Sequence, residues 1–229
     1  MSLKLYVDLM SQPSRALYIL LKHVKYDKFM PTLVNLAKGE HYGDQFTAIN
    51  RMQRVPVIDH NGFILTESVA IMKYLSRENI IPDNLFPKET KQRARVDEFL
   101  AWHHVGLRIH CAMYFRTTFL DPRITGTQPN PKTVESYFRR MENALQDFDT
   151  KWLGRGTDFI TGNSITIADL MAACEVEQPR MAGYDPTEKY PNIAKWLPMV
   201  REYFNPHYQE AHVILNKVVA KQQKQTAKL

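Results

Sequence analysis

The chain has 229 residues, of which 44% are hydrophobic, and 30 basic against 24 acidic side chains leave a formal charge of +6. That length can bury one large core or two modest ones, and with acids and bases interleaved the charge is only a weak argument for nucleic acid, speaking to solubility and non-specific attraction. Two cysteines outside any C-x-x-C pair, Cys111 and Cys174, exclude a disulfide framework and a zinc cage and point to a reducing cytosol, while the alternating N-terminus is no secretory signal and no apolar run of ~18 residues suggests a membrane span.

In chain order, Leu3, Leu5, Val7 and Leu9 alternate with Lys4, Tyr6 and Asp8 as in a strand, and Ala16 to Leu21, beside Arg15 and Lys22, reads as a core-packed helix. Phe29 to Leu36 predicts a second strand and Phe46 to Asn50 a short helix. Val55-Pro56-Val57-Ile58 and Phe63-Ile64-Leu65 flank Asn61-Gly62, a strong hairpin signal. A helix follows, with Ser68 placed to cap it and Ile71, Met72 and Leu75 on its apolar face. Residues 1–78 therefore predict a small α/β unit with helices on a mixed sheet. Residues 79–88, "NIIPDNLFPK", hold two prolines and read as a linker. Residues 89–229 are helical in pattern: Val96, Phe99, Leu100, His103, Leu107, Cys111 and Tyr114 keep three-and-four spacing along one long helix, and Pro131 opens another through Met141, Leu145 and Phe148. Thr166-x-x-Asp169 is close to a capping box at the start of a buried helix. Lys217, Lys221, Lys224 and Lys228 mark the solvated face of a terminal helix or a contact with an anionic surface. No internal repeat is present.

Each local motif admits a bland reading. Ser11-Gln12-Pro13-Ser14 lies at a strand-to-helix turn, where Ser before Pro caps or turns the chain. Ser11 lacks the flanking glycines of a hydrolase nucleophile elbow. Pro56 opening a strand reads as an ordinary edge proline, with a cis bond the minority alternative. Glu67-Ser68 begins a helix whose free amides and dipole suit an anionic group, or whose serine merely caps it. His103 and His104 are adjacent and point to different faces, which disfavours a shared metal ion. Arg108 lies one turn beyond His104 on the same face, either in a surface salt bridge or aimed at a substrate.

The order of these signals is more specific than any one of them. "SQPS" has the spacing of the C-x-P-C redox site of thioredoxin-like domains, with serines in place of cysteines. With "DLMSQPSRALYI", "KGEHYGDQF", "AIN", "RVPVI", "FILTESVAIMKYLS", "RARVDEFLAWHH", "ITIADLMA" and "QEAHVIL", the chain resembles the cytosolic glutathione transferases over nearly its whole length, and within them the theta class. The resemblance implies a thioredoxin-like glutathione-binding domain followed by an all-helical domain that contributes an electrophile pocket. It implies Ser11 as the catalytic serine, a cis Pro56, and Val55 pairing its backbone with the cysteinyl part of glutathione. Glu67 and Ser68 would hold the γ-glutamyl end, His41 and Arg54 the glycine carboxylate, and Met10, His104 and Arg108 the electrophile.

Glutathione would serve as co-substrate, with no cofactor and no metal, in a cytoplasmic homodimer that binds neither nucleic acid nor membrane. Alkyl halides, small epoxides and organic hydroperoxides are the electrophiles the resemblance suggests. The alternative on the same scaffold is a non-catalytic ligand carrier or protein-interaction module; the missing cysteines at Ser11 and Ser14 disfavour a thiol oxidoreductase. Three features depart from the relatives. The C-terminal segment ends in a Lys/Gln-rich stretch at Leu229, which predicts a more open pocket. Val105 stands where relatives reach the neighbouring subunit's glutathione with a polar side chain. Arg51 and Gln53 replace small or turn-forming residues beside the glycine end.

Overall fold

The computed structural model describes residues 2–226. Strand β1 (Leu3–Val7), helix α1 (Gln12–His23) and strand β2 (Phe29–Leu33) form a βαβ unit whose strands run parallel, Leu3 opposite Phe29. Two short turns, Leu36–Lys38 and Glu40–Tyr42, lead into α2 (Asp44–Ile49). The hairpin of β3 (Val57–His60) and β4 (Phe63–Thr66) follows, then α3 (Ser68–Arg77). The sheet order is β2-β1-β3-β4, with β3 antiparallel to both neighbours. Asn61 and Gly62 take φ of 53° and 89°, the left-handed pair a two-residue hairpin turn requires.

Alternation along the strands divides them between two layers. Leu3, Leu5, Val7 and Ile58 enter the main core with α1 and α3, while Tyr6 and Val57 pack with Phe46 and Ile49 of α2 on the opposite face.

The stretch read as one long helix is segmented. Helix α4 (Thr90–His103) passes through a π-helical turn, His104–Arg108, into α5 (Ile109–Phe115); a second, Arg116–Leu120, precedes α6 (Asp121–Thr125). Such wide turns insert a residue without ending the helix. Gly106 lies in the first of them: a Cβ there would fall 2.1 Å from the Trp102 indole, so only glycine lets that ring cross the turn.

Helix α7 (Pro131–Asp147) is capped by the Asn130 side chain, which accepts from the Lys132 amide, and α8 (Ile167–Glu177) opens on the expected capping box. There Asp169 is fully buried and accepts from the amides of Thr166 and Ile160 and from the Trp196 indole. Helices α9 (Pro191–Phe204), α10 (His207–Ala211) and α11 (Val213–Thr226) complete the domain. Lys217, Lys221 and Lys224 lie on α11, whereas Lys228 falls outside the described residues.

One core runs through both halves, joining Leu5, Leu17 and Leu20 to Phe99, Leu170, Trp196 and Val200. The stretch read as a linker takes part: Ile81, Leu85 and Phe86 are at most 1% exposed, and the Ile167 amide donates to Leu85 O. Apolar anchors, rather than periodicity, define this segment. Among the described residues no helix is long and apolar enough to cross a membrane.

Candidate active site

Topology brings the N-terminal site residues to one end of the sheet. The C-terminal ends of β1, β2 and β4 and the N-terminal end of β3 all lie there, because β3 alone runs the other way. After β1 come Met10 and Ser11. After β2 comes the segment holding His41. Arg54, Val55 and Pro56 precede β3, and Glu67 and Ser68 follow β4.

Ser11 occupies the N-cap position of α1 with extended backbone (φ −84°, ψ 125°), yet its hydroxyl makes no capping bond. Its peptide group is fixed instead. The Ser11 amide donates to Asp8 O at 2.9 Å and the Arg15 amide donates to Ser11 O at 3.0 Å. The Asp8 carboxylate, 6% exposed, accepts from the Met10 amide at 2.8 Å and from the Leu36 amide at 2.9 Å, tying the turn after β1 to the loop after β2. Ser14 is buried, so the second serine of the quartet is inaccessible.

The Val55–Pro56 bond is cis, as the family resemblance implies and against the local edge-proline reading. Just before it, Gln53 adopts φ 54°, and its side chain donates to Thr47 Oγ1 at 3.0 Å; a residue other than glycine thus sustains the tight turn. Arg54 is solvent-exposed beside it. Glu67, not Ser68, is the N-cap of α3, and no side chain caps this helix. Glu67 holds φ 65°, a conformation that costs about 1–2 kcal/mol in a non-glycine residue and that clusters at binding sites. Glu67 is exposed at the start of α3, whose first amides have no side-chain cap; Ser68, expected as the cap, sits in the first turn and is buried.

His41 lies tilted against Tyr42, with ring centroids 3.8 Å apart, and its buried Nδ1 has no hydrogen-bond partner among the described residues. Burial lowers its pKa, partly offset by the Asp8 charge. The helical domain contributes the π turn. His104 is half-buried and its pKa is lowered by burial and by Arg108, while the Glu67 carboxylate acts in the opposite sense, so the two domains' residues share one electrostatic neighbourhood. Both bland and functional readings of Arg108 are modified: its ion pair exists, but with a wholly buried partner, Glu175 of α8, at 3.6 Å. Neither Glu175 oxygen has a hydrogen-bond partner; burial raises its pKa, and Arg108 and Arg15 pull it back. Met10 packs against a separate apolar cluster of Phe115, Phe119, Met181 and Leu215, which Val218 and Val219 of α11 also join. The terminal helix therefore adds apolar cover beside Met10.

Residues that sequence reasoning passed over hold this site together: Asp8, Arg15, Glu175 and Gln178. Arg15 read as a polar position of a core helix, yet it is 0% exposed. Two surface cavities, about 260 Å³ at the start of α7 and about 450 Å³ between Arg180 and α11, are lined by none of the predicted site residues. No cluster of three metal-ligating side chains occurs among the described residues.

The chain matches the family models "Glutathione S-transferase, N-terminal domain" over residues 1–77 and "Glutathione S-transferase, C-terminal domain" over residues 108–202. It is 40% identical over 219 residues to glutathione S-transferase theta-1 of Mus musculus, covering 95% of this chain and 90% of the relative. Human glutathione-S-transferase T1-1 superposes with a TM-score of 0.90 at 37% identity, covering 96% of this chain and 91% of that one. A human theta-class glutathione transferase in complex with the glutathione conjugate of 1-menaphthyl sulfate gives a TM-score of 0.90 at 37% identity, covering 99% and 92%.

Proposed function

Because the chain belongs to the theta class of the glutathione S-transferases, we propose that it conjugates reduced glutathione to alkyl halides and small epoxides and reduces organic hydroperoxides at the same sulfur. The observation that carries this reading is Ser11: it stands at the N-cap of α1 with a hydroxyl its own helix does not use. A free thiol has a pKa near ~8.5, so only a few per cent is nucleophilic thiolate at neutral pH. A hydroxyl donating to sulfur favours the charged form. Each unit of lowering corresponds to ~1.4 kcal/mol, which one charge-assisted hydrogen bond can supply.

The tripeptide's charged ends find matching partners at the same end of the sheet. The uncapped start of α3, with Glu67 and Ser68, receives the γ-glutamyl group, the helix amides taking its carboxylate and the Glu67 carboxylate its ammonium. Val55, ahead of cis Pro56, pairs its backbone with the cysteinyl residue. Arg54 and His41 meet the glycine carboxylate, His41 as a neutral hydrogen-bond donor, since burial lowers its pKa. Met10, His104 and Arg108 face the electrophile, with Arg108 stabilising charge that develops on the leaving group. Held this way, the sulfur attacks a positioned partner rather than a diffusing one. Residues 1–78 act as the glutathione-binding unit, 79–88 as the connection and 89–229 as the electrophile-binding unit. We take the protein as a cytoplasmic homodimer: Val105 and Ile109, 69% and 48% exposed and four residues apart, offer apolar surface for a second copy.

The test is Ser11→Ala assayed against an alkyl halide, an epoxide and a hydroperoxide. Turnover should fall by about tenfold for each unit by which the bound thiol's pKa rises, while glutathione affinity changes little. Equal loss in both, or in neither, overturns the role of Ser11. Retention on immobilised glutathione without turnover of any electrophile favours the carrier reading.

A further inference from the structure

The turn that presents Ser11 is gripped from the other domain. Arg15, fully buried in the first turn of α1, donates through Nη1 to Leu9 O at 3.0 Å and to Met10 O at 3.4 Å. Its Nη2 donates to Cys174 O at 3.1 Å and to Gln178 Oε1 at 2.6 Å. Gln178, at the end of α8 and also fully buried, turns its own Nε2 back onto Met10 O at 3.2 Å. The carbonyl of the Met10–Ser11 peptide group therefore receives two donors, one from each domain, while its N–H is held by Asp8 O. Rotation of that group, which would re-aim the Ser11 side chain, breaks three hydrogen bonds at once.

The far anchor is itself rigid. Glu177, adjacent to Gln178 and 2% exposed, is bonded by Arg180, Arg201 and Tyr208. Arg15 also lies beside the Glu175 carboxylate, which in turn pairs with Arg108. The end of α8 thus touches the supports of both the sulfur-binding turn and the electrophile-binding turn.

We propose that Arg15 and Gln178 form an interdomain clamp that sets the direction of the Ser11 hydroxyl, making them positioning residues for thiolate formation. This rests on the reading of Ser11 as the donor to sulfur. A positioned donor is worth more than a mobile one because its orientation entropy is lost on folding rather than at the moment of reaction. On this account the helical domain does more than line the second substrate's pocket: it helps determine the acidity of the first substrate's thiol.

Gln178→Met keeps the side chain's length and volume while removing both of its hydrogen bonds. The midpoint of glutathione thiol ionisation in the binary complex, followed by thiolate ultraviolet absorbance, should rise by about one unit, a tenfold loss of thiolate below the midpoint. Glutathione Kd should stay within about twofold, and kcat should fall at pH below the new midpoint but recover at alkaline pH, which a merely structural defect would not do. Arg15→Lys, which keeps the charge but loses the planar fork, should shift the midpoint in the same direction. In a Ser11→Ala background Gln178→Met should add no further shift, since the clamp acts through Ser11. A folded Gln178→Met or Arg15→Lys variant with an unmoved midpoint overturns the clamp, as does a full additive shift in the double variant. An unmoved midpoint in Ser11→Ala alone overturns the reading of Ser11 instead.

Discussion

At the residue scale, the site depends on side chains whose chemistry is set by burial. Arg108 shows this most clearly. Its guanidinium is partly exposed, yet it pairs with Glu175, a carboxylate with no accessible surface and no hydrogen bond among the described residues. Removing one member of a buried pair strands the other, which typically costs about 3–5 kcal/mol. Arg108→Ala should therefore do two separable things. It should lower kcat for electrophiles that release an anion, by about tenfold or more for the loss of one positioned cation, and it should lower thermal stability. Arg108→Ala combined with Glu175→Gln should recover much of the stability and none of the turnover. Circular dichroism melts beside single-electrophile kinetics distinguish the two effects, and unchanged kinetics with every electrophile would remove Arg108 from the pocket.

At the element scale, the π turn between α4 and α5 carries both His104 and Arg108, and Gly106 sits within it. A methyl group there collides with the indole of Trp102, whose half-buried ring packs against Phe99 and Trp152. Gly106→Ala should cost about 1–3 kcal/mol, the usual scale of overpacking, and should displace His104 and Arg108. Glutathione Kd should remain near wild type while kcat with electrophiles falls; chemical denaturation and isothermal titration calorimetry check the pair of outcomes. The spacing of apolar residues across this region was legible as helix, because the buried positions across the turn, His103, Leu107 and Cys111, keep spacings of four that an ordinary helix also allows. The wide turn was not legible, since it arises from packing against Trp102 and α8.

At the scale of the whole molecule, two histidines make folding sensitive to acid. His103 and His212 are buried neutral, and burial lowers the pKa of each from 6.5 to about 3. Between those values the unfolded chain binds more protons than the folded one, so stability is complete above pH 6.5 and is lost as pH falls toward 3. At pH 5.5 each should have cost about 1 kcal/mol relative to pH 7.5. Urea titrations at fixed protein concentration check this: His103→Asn and His212→Asn should each flatten the dependence, isolating it from Glu175 and Asp169, whose raised pKa values act in the opposite sense. The features legible in the chain alone were local and periodic: alternating strands, the Asn61-Gly62 turn, the Thr166–Asp169 cap, and the ordered short motifs that mark the family. Backbone conformation and helix capping depend on neighbouring residues, so they can be read from neighbouring residues. Tertiary packing is what buries Arg15, pairs Glu175 with Arg108 and lets Gln178 reach back 168 positions to Met10. Those contacts join residues far apart in the chain, and no local pattern encodes them, because their energies exist only once the two domains share one core.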